Sequence, residues 1–491
     1  MPQVEGHVVS VWKLKGAYLL LYAAIGAYGP FMPVLYKQEG LLESQIGLLL
    51  AATSAVTTLS TPLWCVWADA TQAHKAIVLL SCALGSAFRL FLIPAASRFA
   101  TAMLVTVCMT AVYSATLPLF DTFVVHSVFE EYGPMRKYGA VGFGLMVAVS
   151  GLIVTRFGYM AAIYVSVSFN AMAFAILASL DLDAPFRRAH VQHANEHDGH
   201  DGSESDMPHR PDADVRAGDD NLVDESESED IEFADREPLV LNEQPRLKRK
   251  VSDFPPRPEH FEEEPVSRWI KMLRLGQDPH VAVFVFVLLF SGIANGMIEG
   301  FLFVRLSELG ASGWLLGLSR LLMCAGEVPF FEYNDSIVRA LGIFGTLAFV
   351  QAAYIVRFTT YSLLTNPMYV LLVEVLHGVT FGSLWALSTQ FGRLIAPPKL
   401  EATTQSLISV VHWGIGFTAG SILGGHLYVL WGAVNMFRCG AMIVACTLTI
   451  ALLAKACLGE REYCTSRERR VVDVEDDEHV PSHTGRADDS T

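Results

Sequence analysis

Apolar runs long enough to cross a lipid bilayer recur along this chain of 491 residues and constrain its fold more than any other feature. A helix rises 1.5 Å per residue, so about 20 apolar residues span a hydrocarbon core about 30 Å thick. Charged residues make up 17% of the chain, against about 25% in soluble proteins. The sequence therefore predicts an all-α membrane protein.

Length and apolarity predict twelve transmembrane helices, in two groups of six. They are expected at 12–36, 44–69, 75–96, 99–127, 136–157, 159–180, 280–308, 312–333, 336–358, 366–393, 400–430 and 433–457. The chain then divides into a first six-helix half, a disordered acidic loop, a second six-helix half and a disordered tail, at 1–180, 181–265, 266–458 and 459–491.

The net charge of −15 belongs entirely to the central loop. Asp181–Pro265 contains 25 acidic and 10 basic residues, and its polar composition predicts disorder. Because the acidity is local, it implies no nucleic-acid partner. Lysine and arginine collect in the connections on one side of the predicted helices, which places both termini and the loop in the cytosol.

The two halves resemble each other in sequence. Gly40 and Gly47 match Gly310 and Gly317 at an offset of 270, and Arg89 matches Arg357 at an offset of 268. Two parallel six-helix repeats related by pseudo-symmetry are typical of secondary transporters, whose solute site lies between the halves.

Four stretches carry a resemblance to a known family. They are LPLFDTF (117–123), YGPMRKYGAVGFG (132–144), LGLSRLLMCAGEVPFF (316–331) and VEVLHGVTFGSLWAL (373–387). With the six-plus-six layout, they resemble the major facilitator superfamily, and within it the branch of major facilitator superfamily domain-containing protein 6. The resemblance implies two six-helix halves, with the first, fourth, seventh and tenth helices lining a central cavity.

One departure concerns the gate that the superfamily forms after its second helix, where the pattern G-x-x-x-D-R-x-G-R-R is usual. CVWADATQAHK (65–75) retains Asp69 and Lys75 but lacks the glycines and arginines of that pattern. Asp69 is therefore a gating candidate whose partners must differ from those in relatives.

Glu374 and His377 are the foremost candidates for a proton pathway. They are three residues apart on the tenth predicted helix and so share a face, about 12–17 Å from its start at Asn366. A low dielectric favours the neutral form of a carboxylate, and an imidazole can take up or return a proton. The alternative is a hydrogen-bonded pair that packs the helix.

Glu299 is a second carboxylate candidate, with Asn295 one turn earlier on the same face. Gly292, Gly296 and Gly300 surround them. Small residues every fourth position permit close helix packing and also permit a break in the helix. Glu299 is expected to face the cavity and bind a cation or a polar group of the solute.

Arg89 lies inside the apolar run Ala76–Ala96, 14 residues after Lys75, or about 21 Å along the helix. This depth allows two interpretations. The guanidinium reaches the outer interface while its stem stays in lipid, or it forms a buried pair in an outer gate. The match with Arg357 favours a structural role shared by both arginines.

Four further polar residues are candidates on the predicted helices. Arg320 and Glu327, seven residues apart on one face of the eighth predicted helix, are expected to form a structural ion pair. Asp121, near the end of the fourth predicted helix, and His412, in the middle of the eleventh, are candidates for the solute or proton pathway.

The sequence of the central loop indicates no metal site and no cofactor. Histidines 190, 193, 197 and 200 are loosely spaced and have no cysteines beside them, so a zinc site is not expected. Ser226 and Ser252 lie in acidic and basic contexts, which makes kinases possible partners.

These features together predict a secondary active transporter that moves a small polar solute by alternating access, with proton coupling through Glu299 or Glu374 assisted by His377. No nucleophile triad, HExxH motif or phosphate loop is present, so no enzyme is predicted. The alternative is a receptor or adaptor built on a transporter scaffold.

Overall fold

The computed structural model describes residues 11–127, 132–182, 276–397 and 400–459. Apart from Asp181, Leu182 and Gly459, the predicted acidic loop and tail lie outside these residues, and so do the histidines and serines noted above. Nearly all of the described chain is helical.

Ten helices long and apolar enough to cross a membrane precede residue 400. They are α1 (Val11–Gln38), α2 (Glu43–Thr71), α3 (His74–Ala95), α4 (Phe99–Val125), α5 (Met135–Phe157), α6 (Tyr159–Ala178), α7 (Pro279–Glu308), α8 (Gly313–Leu341), α9 (Ile343–Leu363) and α10 (Pro367–Ile395).

The last apolar helix, Thr403–Leu458, is interrupted by the non-helical backbone of Gly432, whose φ and ψ are 75° and 168°. We number its two parts α11 (403–431) and α12 (433–458). The prediction of twelve helices in two halves of six is thus confirmed for the described chain.

The boundary between α8 and α9 was predicted wrongly. α8 continues to Leu341 and ends at Gly342, whose φ of 77° stops the helix. The polar residues near 334 suggested a turn, but Asn334 is only 1% exposed and its amide donates to Gln390 of α10 at 3.2 Å. Packing against α10 therefore keeps this polar stretch helical.

The internal repeat has a structural counterpart in the turns after α1 and α7. Gly40 and Gly310 have φ values of 90° and 84°, a region that side chains rarely occupy. The amide of Gly40 donates to Lys37 at 3.1 Å, and that of Gly310 donates to Ser307 at 3.0 Å. The matched glycines therefore mark the same turn in each half.

Two glycine-lined seams join the halves. Gly47 of α2 packs directly on the backbone of α11 at Ser421, and Gly317 of α8 packs on the backbone of α5 at Gly151. A Cβ atom at Gly151 would lie 2.5 Å from the carbonyl oxygen of Gly313. The second repeated glycine therefore permits the same close approach in both seams.

Both seams lie between the middle of the bundle and the end that carries the Gly40 and Gly310 turns, which we call the closed end. There the amide of Trp314 donates to Thr155 at 2.8 Å, and the rings of Phe31 and Phe303 lie 5.9 Å apart. The sequence prediction assigns this end to the outside.

We call the opposite end, where α2 and α8 finish, the open end. No hydrogen bond, ion pair or ring contact between described residues joins the halves there. The side chain of Asp69 is 70% exposed and lies 3.2 Å from His74 of its own half. The hydrogen bonds and ring contacts that join the halves of the described chain thus lie in the seams and at the closed end.

The seam between α5 and α8 offers a matched pair of substitutions. Gly151→Ala inserts a methyl group against the α8 backbone, which should cost about 1–3 kcal/mol and lower the unfolding temperature. Gly144→Ala is the control, because its Cβ would meet only side-chain atoms at 3.6 Å and 3.7 Å. Thermal unfolding of the purified variants checks this, and equal losses would contradict the seam.

Candidate functional site

The close approach of α8 and α10 depends on two facing glycines. A Cβ atom at Gly326 would lie 2.7 Å from the carbonyl oxygen of Val375, and one at Gly378 would collide with the carbonyl of Gly326. The absence of side chains at both positions brings the polar residues next to them, Glu327 and His377, into contact range.

α10 is irregular where it carries these residues. Its α-helical first part ends at Glu374, and a π-helical segment runs from Gly378 to Ser383. Such segments insert an extra residue per turn and often occur at functional sites. The sequence prediction assumed a regular helix, yet Glu374 and His377 still face the same partner on α9.

That partner is Arg357, whose side chain is fully buried. Its Nη2 donates to Glu374 Oε2 at 3.4 Å, its Nη1 donates to Thr380 Oγ1 at 2.8 Å, and its Nε donates to the hydroxyl of Tyr361 at 2.9 Å. Nη1 also lies 3.1 Å from Nδ1 of His377. Arg357 is thus held by one carboxylate and three neutral groups.

Tyr361 and Thr380 were missed by the sequence analysis. Tyr361 stands one turn after Arg357 and donates a short hydrogen bond to Glu374 Oε1 while it accepts from Arg357. The spacing of four residues between Arg357 and Tyr361 was the available signal, since such residues share a helix face.

The second ion pair joins α7 and α8. Arg320 donates to both carboxylate oxygens of Glu299, from Nη1 at 2.7 Å and from Nη2 at 2.5 Å. This two-pronged geometry is the strong form of an arginine–carboxylate contact. Arg320 is 8% exposed.

The predicted Arg320–Glu327 ion pair is therefore wrong. Two turns separate these residues by about 10 Å along α8, and each reaches a neighbouring helix instead. Glu327 Oε1 lies 3.2 Å from Nε2 of His377. His377 consequently stands between Arg357 on one ring nitrogen and Glu327 on the other.

We call these six residues, Glu299, Arg320, Glu327, Arg357, Glu374 and His377, the charge cluster. A small cavity between Glu299, Arg320 and Glu374 connects its two ion pairs, and it is too small for an organic solute. The cluster holds two arginines and three glutamates. With a neutral His377 its charge is −1, and one added proton balances it.

A model of a known protein family matches most of this chain. A family model described as the MFS_1 like family, where MFS denotes the major facilitator superfamily, matches residues 11–439. The chain belongs to this family. The resemblance inferred from sequence is thereby confirmed, and the protein is a transporter of the major facilitator superfamily.

Two curated relatives illustrate the range of similarity. The maltose permease of Geobacillus stearothermophilus is 24% identical over 444 residues, which cover 89% of this chain and 93% of the permease. The human major facilitator superfamily domain-containing protein 6-like is 24% identical over 191 residues, or 39% of this chain and 32% of that protein.

Solved structures share the fold. The nucleoside transporter NupG aligns with a TM-score of 0.65 at 11% identity, over 92% of this chain and 99% of that one. A bacterial homolog of the human lysosomal transporter Spinster, in an inward-facing and occupied conformation, aligns at 0.56 and 12% identity, over 91% and 96%.

Several predicted site residues of the transporter lie apart from the charge cluster. Asn295 is buried one turn from Glu299 and joins none of the cluster's ion pairs among the described residues. Asp121 accepts from Tyr18 at 2.6 Å, and Arg136 lies 3.9 Å away. These contacts tie Asp121 to α1 and α5.

His412, a predicted solute or proton candidate, lies where α11 packs against α7. It is fully buried, and its Nδ1 lies 3.3 Å from the carbonyl oxygen of Leu288 on α7. Gly292 of α7 packs on the backbone at His412. The glycines of α7 thus pack against α11, and α7 runs without a break from Pro279 to Glu308.

Arg89 does not extend to the outer interface, because its side chain is fully buried. It pairs with no carboxylate of the described chain, so the buried ion pair is not observed either. Among the described residues no group of histidine, cysteine or acidic side chains is arranged to hold a metal ion.

Removing one member of each contact should separate their roles in the transporter. Glu374→Gln leaves the buried Arg357 without a carboxylate, a change that typically costs about 3–5 kcal/mol, and should lower the unfolding temperature markedly. Glu327→Gln should cost far less, because Glu327 forms no ion pair with an arginine among the described residues. Thermal unfolding checks this, and equal losses would contradict the assignment.

Proposed function

We propose that this transporter moves a small polar solute by alternating access and couples it to protons, with the Glu327–His377 pair as the proton carrier. The observation that supports this most is the charge count of the cluster, which is one proton short of neutrality. Glu299 and Glu374 each face an arginine, and an arginine does not give up its proton.

The proposal moves the proton from Glu299 or Glu374, as the sequence suggested, to Glu327 and His377. Nδ1 of His377 faces a donor on Arg357 and therefore acts as an acceptor. The hydrogen of the neutral ring then resides on Nε2, which lies 3.2 Å from Oε1 of Glu327. An added proton goes to Glu327, or to Nδ1 once Arg357 moves away.

This geometry links protonation to conformation. A proton on Nδ1 requires that Arg357 has moved away, because the positive imidazole repels the guanidinium. Protonation of His377 therefore favours a conformation in which α9 and α10 have lost one of the contacts that hold them together. The linkage supplies the differential interaction that alternating access requires of its coupling ion.

The asymmetry of the bundle supports alternating access. Both seams are closed at one end, while the described residues form no polar contact between the halves at the other. The seams rest on backbone-to-backbone contacts of glycines, which can separate as rigid faces. We take this arrangement as one of the two states of the cycle.

Aromatic side chains beside the cluster suit a solute with a flat face. His377 stacks on Phe381 at 5.3 Å, and Phe381 stacks on Trp385 at 6.0 Å. Trp413 of α11 meets Phe381 edge-on at 5.7 Å and is 36% exposed. The relatives named for maltose and nucleosides carry ring-shaped polar solutes, which fit the same chemistry.

The test is proton movement in proteoliposomes that contain a pH-sensitive dye. Pools of sugars, nucleosides, carboxylates and phosphate esters are added outside, and the wild type should acidify the lumen with at least one pool. Glu327→Gln should still exchange labelled solute across the membrane but move no protons. Glu332→Gln is the matched control, since Glu332 is an exposed carboxylate on the same helix.

Two results would contradict the proposal. Solute uptake by the wild type without proton movement would remove the coupling. No uptake from any pool would leave the receptor or adaptor alternative.

A further inference from the structure

Arg89 is the buried cation of the first half, and its surroundings differ from those of Arg357. Its guanidinium lies 4.0 Å from the ring centre of Tyr113 and 5.0 Å from that of Tyr28. Nη1 donates to Ser166 Oγ at 3.4 Å. Nε and Nη2 have no hydrogen-bond acceptor in the described part of the chain.

Comparison of the two repeats shows that Arg89 lacks the carboxylate and histidine partners of Arg357. At the offset that relates Arg89 to Arg357, the α4 positions that match Glu374 and His377 hold Thr106 and Met109. No carboxylate among the described residues lies within ion-pair distance of Arg89. A charge removed from water without a counter-charge is costly, and two tyrosine faces offset that cost only in part.

The free edge of the guanidinium has a defined chemistry. Nε and Nη2 lie on the same side of the group and point their hydrogens in parallel, which matches the two oxygens of a carboxylate or phosphate. Nη1, on the other side, is already engaged by Ser166. Arg89 therefore presents an unused site for one oxyanion.

The two tyrosines differ in how firmly they are held. The hydroxyl of Tyr113 donates to Asn170 at 3.2 Å, and Asn170 is fully buried and donates to the Cys82 carbonyl and to Ser86. Tyr28, partly buried like Tyr113, packs against the hydrophobic core and is the last residue of the α-helical part of α1, before the 3-10 turn Gly29–Phe31. A change at this turn would move Tyr28 and uncover Arg89, whereas Tyr113 is held by Asn170.

We propose that Arg89 binds an oxyanion group, a carboxylate or a phosphate, of the molecule that the transporter carries, with Tyr28 as a movable cover. The inference rests on the proposed transport function, because it assigns a chemical class to the solute. The solute would then be an organic anion, bound by the first half through Arg89.

A carboxylate introduced by substitution tests whether the positive charge of Arg89 can bind an anion, and it requires no knowledge of the solute. Ser166→Asp places an acidic group beside Arg89, and Ser166→Asn is its neutral control of the same shape. The aspartate variant should unfold at a higher temperature than the asparagine variant. In an Arg89→Gln background the order should reverse, because the aspartate then has no cation.

Free anions test whether the site is open to solution. Thermal unfolding of the purified full chain is measured in acetate, in inorganic phosphate and in chloride at equal ionic strength. Acetate or phosphate should raise the unfolding temperature of the wild type above its value in chloride, and Arg89→Gln should lose that rise. The anion with the larger effect identifies the carboxylate or phosphate class.

The outcomes separate this inference from the proposed function. Absence of any anion effect, whichever order the Ser166 variants take, would overturn it and leave Arg89 as a structural residue that stacks on tyrosines. A rise that survives Arg89→Gln would overturn it as well. Neither experiment requires a gradient or a flux. An anion effect that requires Arg89 therefore supports the anion site even if the proteoliposomes show no proton movement.

Discussion

The guanidinium of Arg357 cannot remain buried among apolar helices unless other side chains supply the opposite charge and accept its hydrogens. Glu374, Tyr361, Thr380 and His377 do so from α9 and α10. The remaining features of the second half follow from that requirement. The glycine contact between α8 and α10 places Glu327 at the far side of His377, and the π-helical segment keeps α10 polar atoms turned toward α9.

The two halves use one scaffold in different ways. In the second half, both buried arginines meet carboxylates, and the excess negative charge leaves room for a proton. In the first half, Arg89 occupies the matching place between aromatic rings and keeps one edge unused. A transporter that pairs a proton in one half with an anionic group in the other would bind its two cargoes at matched positions of the two halves.

The sequence predicted the features that depend on residues close to one another along the chain. Apolar length predicted the twelve helices, and matched glycines predicted the internal repeat. The end of α8 was missed because packing on α10 outweighs the polar composition around Asn334. The partner of Arg320 was missed because seven-residue spacing shows that two residues share a face, whereas Glu299 on α7 is reached only in three dimensions. Nothing in the sequence around His377 signalled the π-helical segment, and residue counting could not show that Arg89 is fully buried.

The most direct test of the account is whether one proton on the Glu327–His377 pair decides which end of the bundle is open. Spin labels at Ser97 and Thr365 would report the closed end, and labels at Gln72 and Ala340 the open end; all four positions are exposed. The eight native cysteines are replaced first. The account predicts that a change between acidic and alkaline buffer moves the two distances in opposite directions in the wild type and leaves both unchanged in Glu327→Gln. Distances that do not respond to pH, or that respond equally in Glu327→Gln, would contradict it.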